Sequence, residues 1–214
     1  MHRAFLAFAQ TLLIEPRCPI CHEPWQEPQA PTSPCSLCRD ALQLPPEGIQ
    51  GLDPLRWCAL GPYEGRLRQL LLKVRQPTQQ KALSALVQML ADSLSLPSTA
   101  VLVPIPSWKR QRTNPLPQRI ANGLDRPTAD LLQRTRVGLS QHHLNKSQRR
   151  TNLIGAFRAD PHNQAAPLTS AWLVDDILTT GATALAARQA LVDAGHGVAG
   201  LICLGRTLAR KRRR

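Results

Sequence analysis

Apolar and polar positions recur along this chain with two different periods, and the change of period marks its organisation. Residues 80–95, Q-K-A-L-S-A-L-V-Q-M-L-A-D-S-L-S, put Leu83, Leu86, Val87, Leu90 and Leu94 on one side of a 3.6-residue spiral, which predicts an amphipathic helix. Other short runs are apolar without a helical period: A-V-L-V-P-I-P at 100–106, A-W-L-V at 171–174 leading into D-D at 175–176, and G-L-I-C-L at 200–204. Bounded by Pro, Gly or charged residues, such runs predict buried strands. A helix-like stretch around 118–124 follows the first of them. A further helix is predicted at 181–195, G-A-T-A-L-A-A-R-Q-A-L-V-D-A-G, with Gly195 and Gly197 as its stop. Residues 133–152 show no clean period and read as containing a loop. Near the start, Phe5, Phe8, Leu12 and Leu13 recur at helical spacing and predict a helix docked on the rest of the chain.

Strands that are apolar throughout and alternate with helices imply an α/β fold, a parallel sheet covered on both faces. Ligands of such sheets sit beyond the carboxyl ends of the strands. Two unusual sequences fall at such ends, P-I-P-S-W-K-R at 104–110 and D-D-I-L-T-T-G-A-T at 175–183.

Composition changes this picture in two places. Many of the 19 prolines lie between residues 16 and 54, so a loop-rich N-terminal piece precedes the regular domain. The formal charge is +13, which favours polyanionic partners, nucleic acid, phosphorylated metabolites or an acidic membrane surface, with a merely solvated basic surface as the alternative. Ten Lys/Arg between Lys109 and Arg150 face only Asp125 and Asp130, and the last nine residues, R-T-L-A-R-K-R-R-R, add six more basic groups. That tail reads either as a nucleic-acid contact or as a solvated end. No run reaches the ~18 apolar residues of a membrane span. The apolar stretch Ala4 to Ala9 is short for a signal peptide, and the expectation is a cytoplasmic protein.

Four of the six cysteines form two knuckles, C-P-I-C at Cys18–Cys21 and C-S-L-C at Cys35–Cys38, with thirteen residues between them. Each C-x-x-C turn aims two thiolates at one point, and two turns close a tetrahedral site with no open position, which predicts structural Zn²⁺. Disulfides or a redox C-x-x-C are the alternatives; the first needs an oxidising compartment and the second a βαβ setting. Cys58 and Cys203 stand alone in apolar surroundings and read as small hydrophobes.

The 173–183 stretch, L-V-D-D-I-L-T-T-G-A-T, asks for an anion. If Asp176 ends a strand and Ala182 begins a helix, the peptide N–H groups of Thr179, Thr180, Gly181, Ala182 and Thr183 surround a helix N-terminus, where unpaired donors and the positive dipole end favour a phosphate. Gly181 permits positive φ and close approach of backbone to ligand. The threonine hydroxyls add donors. Asp175 and Asp176 can accept from hydroxyls a sugar's length away, or meet a hydrated Mg²⁺ indirectly. Phosphate on one side and vicinal hydroxyls on the other describe a ribose 5-phosphate. The alternative is a Thr-capped helix after a surface Asp pair.

The same residues resemble the motif that binds 5-phosphoribosyl 1-diphosphate (PRPP) in type I phosphoribosyltransferases. Together with the cysteines, with Y-E-G at 63–65 and Leu70–Lys73, with V-P-I-P at 103–106 and with Q-H-H-L-N-K-S-Q-R-R-T-N-L-I-G-A-F at 141–157, the chain resembles the ComF/GntX family over residues 12–206. The resemblance implies a type I phosphoribosyltransferase-like parallel sheet flanked by helices, behind a small four-cysteine zinc module. It divides the chain into a helix and zinc module at 1–50, a phosphoribosyltransferase-like domain at 51–206 and a basic tail at 207–214. It also implies a pyrophosphate loop at Ser107, Lys109, Arg110 and Arg112, and a hood over the reaction centre that includes Gln141, Arg149 and Asn152. Where many family sequences read R-G-F-N-Q, this chain reads R-T-N-P-L-P from Arg112 to Pro117; Gly and Phe are absent and two prolines enter.

Two functions of different class follow. One is a phosphoribosyltransferase-family protein that binds PRPP with Mg²⁺, linked by resemblance to natural competence and DNA uptake, with catalysis by positioning and electrostatics if a group is transferred. The other is a non-catalytic module that binds single-stranded DNA or competence-machinery proteins and keeps the phosphate cradle. Aromatic residues make up only 4% of the chain, so DNA binding would be mostly electrostatic.

Overall fold

A computed structural model describes residues 15–25, 32–106, 115–135, 155–159 and 168–208. The N-terminal part carries the four cysteines and the short helix α1 (Ser36–Leu42). The edge strand β1 (Ile49–Gly51) then runs antiparallel to β2 (Trp57–Pro62). Helices α2 (Gly65–Lys73) and α3 (Gln80–Ser93) precede β3 (Val101–Pro104), and α4 (Leu116–Gly123) follows it. A two-stranded antiparallel ribbon, β4 (Leu132–Arg134) and β5 (Phe157–Ala159), comes before β6 (Ala171–Leu178), α5 (Ala182–Asp193) and β7 (Val198–Arg206).

The main sheet has the order β1-β2-β7-β6-β3, and every pairing except that of β1 is parallel. The α/β reading of the sequence therefore holds, with an antiparallel edge added. Burial fixes which face each helix shows to the sheet. On α3 the buried residues are Ala82, Leu83, Ala85, Leu86, Val87 and Leu90. Each large one contributes about 1.5–3 kcal/mol, more than an exposed ion pair on the opposite face supplies. This stripe joins Leu67, Leu70 and Leu71 of α2 and Ile120 of α4 against Leu102, Trp172, Val174, Ile202 and Leu204. The other face of the sheet packs Val103, Leu173, Leu201 and Cys203 against Ala184, Ala187 and Leu191 of α5 and against Phe157 of the ribbon. Alanines at 184, 187 and 190 let α5 lie close to the strands. The cysteine module is attached to the first core through Leu42, Ile20 and Leu44.

Three sequence expectations shift. Strand β6 runs two residues past Asp176, because Ile177 and Leu178 still pair with Gly205 and Arg206 of β7. Strand β7 likewise extends to Arg206, so the first basic residue counted with the tail is part of the sheet. The 133–152 region begins as a strand, since β4 pairs with β5. Helix α5 ends at Asp193, and Gly195 just beyond it, with φ +86, supplies the expected stop. The predicted N-terminal helix, the loop residues Ser107, Lys109, Arg110 and Arg112, the hood residues Gln141, Arg149 and Asn152, and residues 210–214 lie outside the described residues. Among the described residues no helix is long and apolar enough to cross a membrane.

Candidate functional site

The parallel strands β2, β7, β6 and β3 bring their carboxyl ends to one edge, in register from Pro62 through Arg206 and Leu178. The chain turns there from β6 into α5 through Thr179, Thr180 and Gly181. Gly181 sits at the N-cap with φ +78, and no side chain caps the helix. The first-turn amides beyond that of Ala182 are thus left for whatever occupies the turn. Thr180 Oγ1 accepts from the Ala182 amide at 3.4 Å, which leaves its own proton to donate. Thr179 is exposed and Thr180, Ala182 and Thr183 are half-buried, so the turn opens to solvent.

What holds this turn is not apparent in its own sequence. A Cβ at position 181 would run into the ring of Pro54, so only glycine lets the turn press against the 53–54 segment. Arg206, the last residue of β7, braces both. Its Nη1 donates to the carbonyls of Leu178, at 3.2 Å, and Thr179, and its Nη2 donates to the Asp53 carbonyl at 3.3 Å. The same carbonyl accepts from Trp57 Nε1 at 2.9 Å, and the Arg206 guanidinium lies 5.3 Å over the Trp57 ring. By sequence alone Arg206 counts as tail charge. Three non-basic residues, Thr207 to Ala209, separate it from the terminal cluster, and that gap is the signal that sets it apart.

The two aspartates are met by different elements. Asp176 is buried, and its Oδ2 accepts from Arg75 Nη2 at 2.7 Å, a residue just past the end of α2. Asp175 Oδ1 accepts the Asp176 amide at 2.8 Å. Part of the Asp175 residue still meets solvent, but its carboxyl lies deep. Burial therefore pushes it well above the ordinary carboxylate range, the Asp176 charge adds to this, and the amide bond and the Arg75 charge act against it. Arg134, at the end of β4, feels the Asp175 charge and lies 4.8 Å over the Phe157 ring; burial draws its guanidinium down from the usual value. Sequence reasoning misses both Arg75 and Arg134, since neither falls in a motif.

The raised carboxyl makes a stability prediction. Folded protein keeps the Asp175 proton at a pH where unfolded chain has lost it. Its contribution is complete below the ordinary carboxylate pKa, near 4, and is lost as pH rises through the folded value. Asp175→Asn has no proton to lose and keeps an oxygen for the Asp176 amide. It should melt higher than the parent near neutral pH by a few degrees, about 2–4 °C per kcal/mol for a domain of this size. The gap should close toward about pH 4. Thermal melts across that range check it, and a less stable variant at neutral pH would refute it.

One flanking segment starts at this edge, and another starts from the β4–β5 ribbon. Pro104 of β3 pairs beside Val174, and the Ile105 amide donates to the Val174 carbonyl at 2.9 Å, so the chain entering 107–114 leaves the sheet one strand away from Asp175. Residues 136–154 leave at Thr135 and return at Gly155, and these two ends are clipped together. Thr135 Oγ1 donates to the Gly155 carbonyl at 2.5 Å, and the Thr135 amide donates to the Ala156 carbonyl at 3.0 Å.

The cysteine cluster forms a second site. The sulfurs of Cys18, Cys21, Cys35 and Cys38 lie within 4.8 Å of one another. Cys18 to Cys38 is 3.9 Å and Cys21 to Cys35 is 3.8 Å, whereas a disulfide needs ~2.05 Å. A tetrahedron with metal–sulfur bonds of about 2.3 Å has edges of about 3.8 Å, so these four residues fit a metal ion. Burial acts against the Cys18 thiolate, but amide bonds from Cys35, Cys21 and Ile20 outweigh it and hold the thiol down at about 6. All six cysteines are free.

No family model matches the chain. It is 29% identical over 206 residues to the DNA utilization protein YhgH of Salmonella typhimurium, covering 89% of this chain and 84% of that one. To the protein of the same name in Escherichia coli K12 it is 28% identical over 192 residues, covering 82% and 78%. Among solved structures, orotate phosphoribosyltransferase from Aeropyrum pernix overlaps with a TM-score of 0.37 at 15% identity, covering 79% of each chain. Adenine phosphoribosyltransferase from Leishmania donovani overlaps with a TM-score of 0.33 at 22% identity, covering 61% of this chain and 53% of that one. Overlap this loose carries no residue-by-residue correspondence.

Proposed function

We propose that this chain binds a phosphoribosyl ligand, PRPP or another ribose 5-phosphate, in a protein that serves DNA utilisation. The observation that carries this is the α5 N-terminus: a helix with no side-chain cap, entered through a Thr-Thr-Gly turn at the ligand-bearing edge of a parallel sheet and preceded by two aspartates. Amides of Thr179 to Thr183 and the Thr180 and Thr183 hydroxyls take the 5-phosphate, and Asp175 and Asp176 take ribose hydroxyls. A divalent cation carried by the diphosphate would meet the carboxylates through water. Ser107, Lys109, Arg110 and Arg112 are assigned to the diphosphate, and Gln141, Arg149 and Asn152 to a hood over it. If transfer occurs, the chain's part is positioning and charge: the cradle fixes the sugar and cations offset the departing diphosphate. The cysteine cluster is assigned structural Zn²⁺. We assign 1–50 to the zinc module, 51–206 to the phosphoribosyl domain and 207–214 to a tail.

The name of the relatives favours a second reading, a single-stranded DNA-binding module, and the basic residues at 109–150 and 210–214 agree with it. One titration separates the two. PRPP with Mg²⁺ should bind the parent protein, and the double variant Asp175→Asn, Asp176→Asn should lose at least about 100-fold, since each charged hydrogen bond is worth about 1.5–3 kcal/mol. Absence of binding by the parent would remove the cradle assignment. Single-stranded DNA in the same assay should weaken steeply between about 50 and 200 mM salt, and on deletion of 210–214, if the second reading is right.

A further inference from the structure

We propose that Arg75 is a displaceable counter-ion of the acidic pair, through which the site favours a ribose phosphate with a second anionic group over simple ribose 5-phosphate. The inference rests on the phosphoribosyl reading above. Arg75 Nη2 donates to Asp176 Oδ2 at 2.7 Å, and so competes for the oxygen through which Asp176 would accept a ribose hydroxyl. The partners are unequal. The Asp176 side chain is 12% exposed, while that of Arg75 is 46% exposed. A buried carboxylate needs a donor, which explains why the pair forms. The cation stands half in water and is rehydrated when it leaves, so hydroxyls can replace it.

The backbone beneath Arg75 is pinned. Val74, one residue before, is fully buried and its amide donates to the Leu70 carbonyl at 2.9 Å, and the Gln76 amide donates to the Lys73 carbonyl at 2.9 Å. The displaced guanidinium therefore stays at the mouth of the site. Among the described residues, Asp176 is the one carboxylate with which it pairs. A ligand with a single phosphate, seated at the α5 N-terminus, breaks this pair and returns nothing to the cation. A ligand that also carries a diphosphate offers it a charge-assisted, two-pronged partner. Arg75 thus sets the ratio of the two affinities.

Calorimetric titration of the full chain with ribose 5-phosphate and, separately, with PRPP and Mg²⁺ tests this on the parent, Arg75→Ala and Arg75→Gln. Both variants should bind ribose 5-phosphate as tightly as the parent or more so, and should lose about tenfold or more for PRPP. Equal changes for the two ligands, or none, would overturn the proposal and leave the cradle standing. A parent protein that binds neither ligand would overturn the phosphoribosyl reading itself.

Discussion

Stripping metal from Cys18, Cys21, Cys35 and Cys38 is expected to unfold the N-terminal module and leave the sheet standing. Apart from Pro19 and Pro34, the described residues of 15–44 bury only Cys18 and Leu42. Their one helix, α1, has seven residues, and none of its side chains caps it. Two buried side chains contribute a few kcal/mol at most, less than the cost of ordering even five residues at about 1–2 kcal/mol each. A structural zinc ion supplies about 10–16 kcal/mol in modules of this size, so with zinc in the cluster metal binding and folding would be one event. Purified protein should carry about one zinc per chain. Cys18→Ser with Cys38→Ser should abolish this and open the segment to protease, while a fragment starting near β1 resists. Variants that keep their metal, or lose it without becoming cleavable, would show that the cluster does not hold the module together.

The second large effect is expected at Gly181. Alanine there meets two obstacles at once. Its φ of +78 costs a side chain about 1–2 kcal/mol, and its Cβ collides with Pro54, which adds about 1–3 kcal/mol of overpacking. Gly181→Ala should therefore lose roughly 2–5 kcal/mol, with a melting temperature lower by about 4–20 °C. Any relief comes from moving the turn away from Pro54, which also moves the amides proposed to take the phosphate. Affinity for PRPP should fall at least about tenfold in the variant that still folds. Gly65 is the internal control: its φ is +49, but nothing lies within 4 Å of where a methyl would sit, so Gly65→Ala should cost only the backbone strain. Melts and titrations of the two variants side by side decide the matter. A Gly181→Ala protein as stable as Gly65→Ala would show that Pro54 yields.

The elements legible in the sequence are those whose pattern is set by burial on both faces. Strands β3, β6 and β7 are apolar nearly throughout, and α3 carries an unbroken stripe. Strand β2, W-C-A-L-G-P, escapes sequence reasoning because Gly61 and Pro62 interrupt it. Gly61 is demanded by Leu44, whose side chain fills the space a Cβ would take. Helix α2 escapes it because charged and polar residues surround Leu67, Leu70 and Leu71, and because no capping residue announces its start. In β6 the acidic pair reads as an end, yet the ladder to β7 continues past it. That is a tertiary override: Arg75 offsets one charge and β7 supplies the backbone partners.

The candidate site divides in the same way. The turn and aspartates are visible because residues proposed to meet a ligand must be of particular types at particular spacing. The residues that hold them, Arg75, Arg134, Arg206 and Pro54, come from four other elements and owe their places to the fold alone. No local pattern could have named them, except that the gap from Thr207 to Ala209 sets Arg206 apart from the terminal cluster.

The clip between Thr135 and Gly155 has a consequence for how such a protein diversifies. The nineteen positions from 136 to 154 are bracketed by a closed gate of two hydrogen bonds, so substitutions, insertions or deletions between the posts need not be felt by the sheet. Selection can then rewrite that stretch while the sheet stays unchanged, and one scaffold can be lent to several partners.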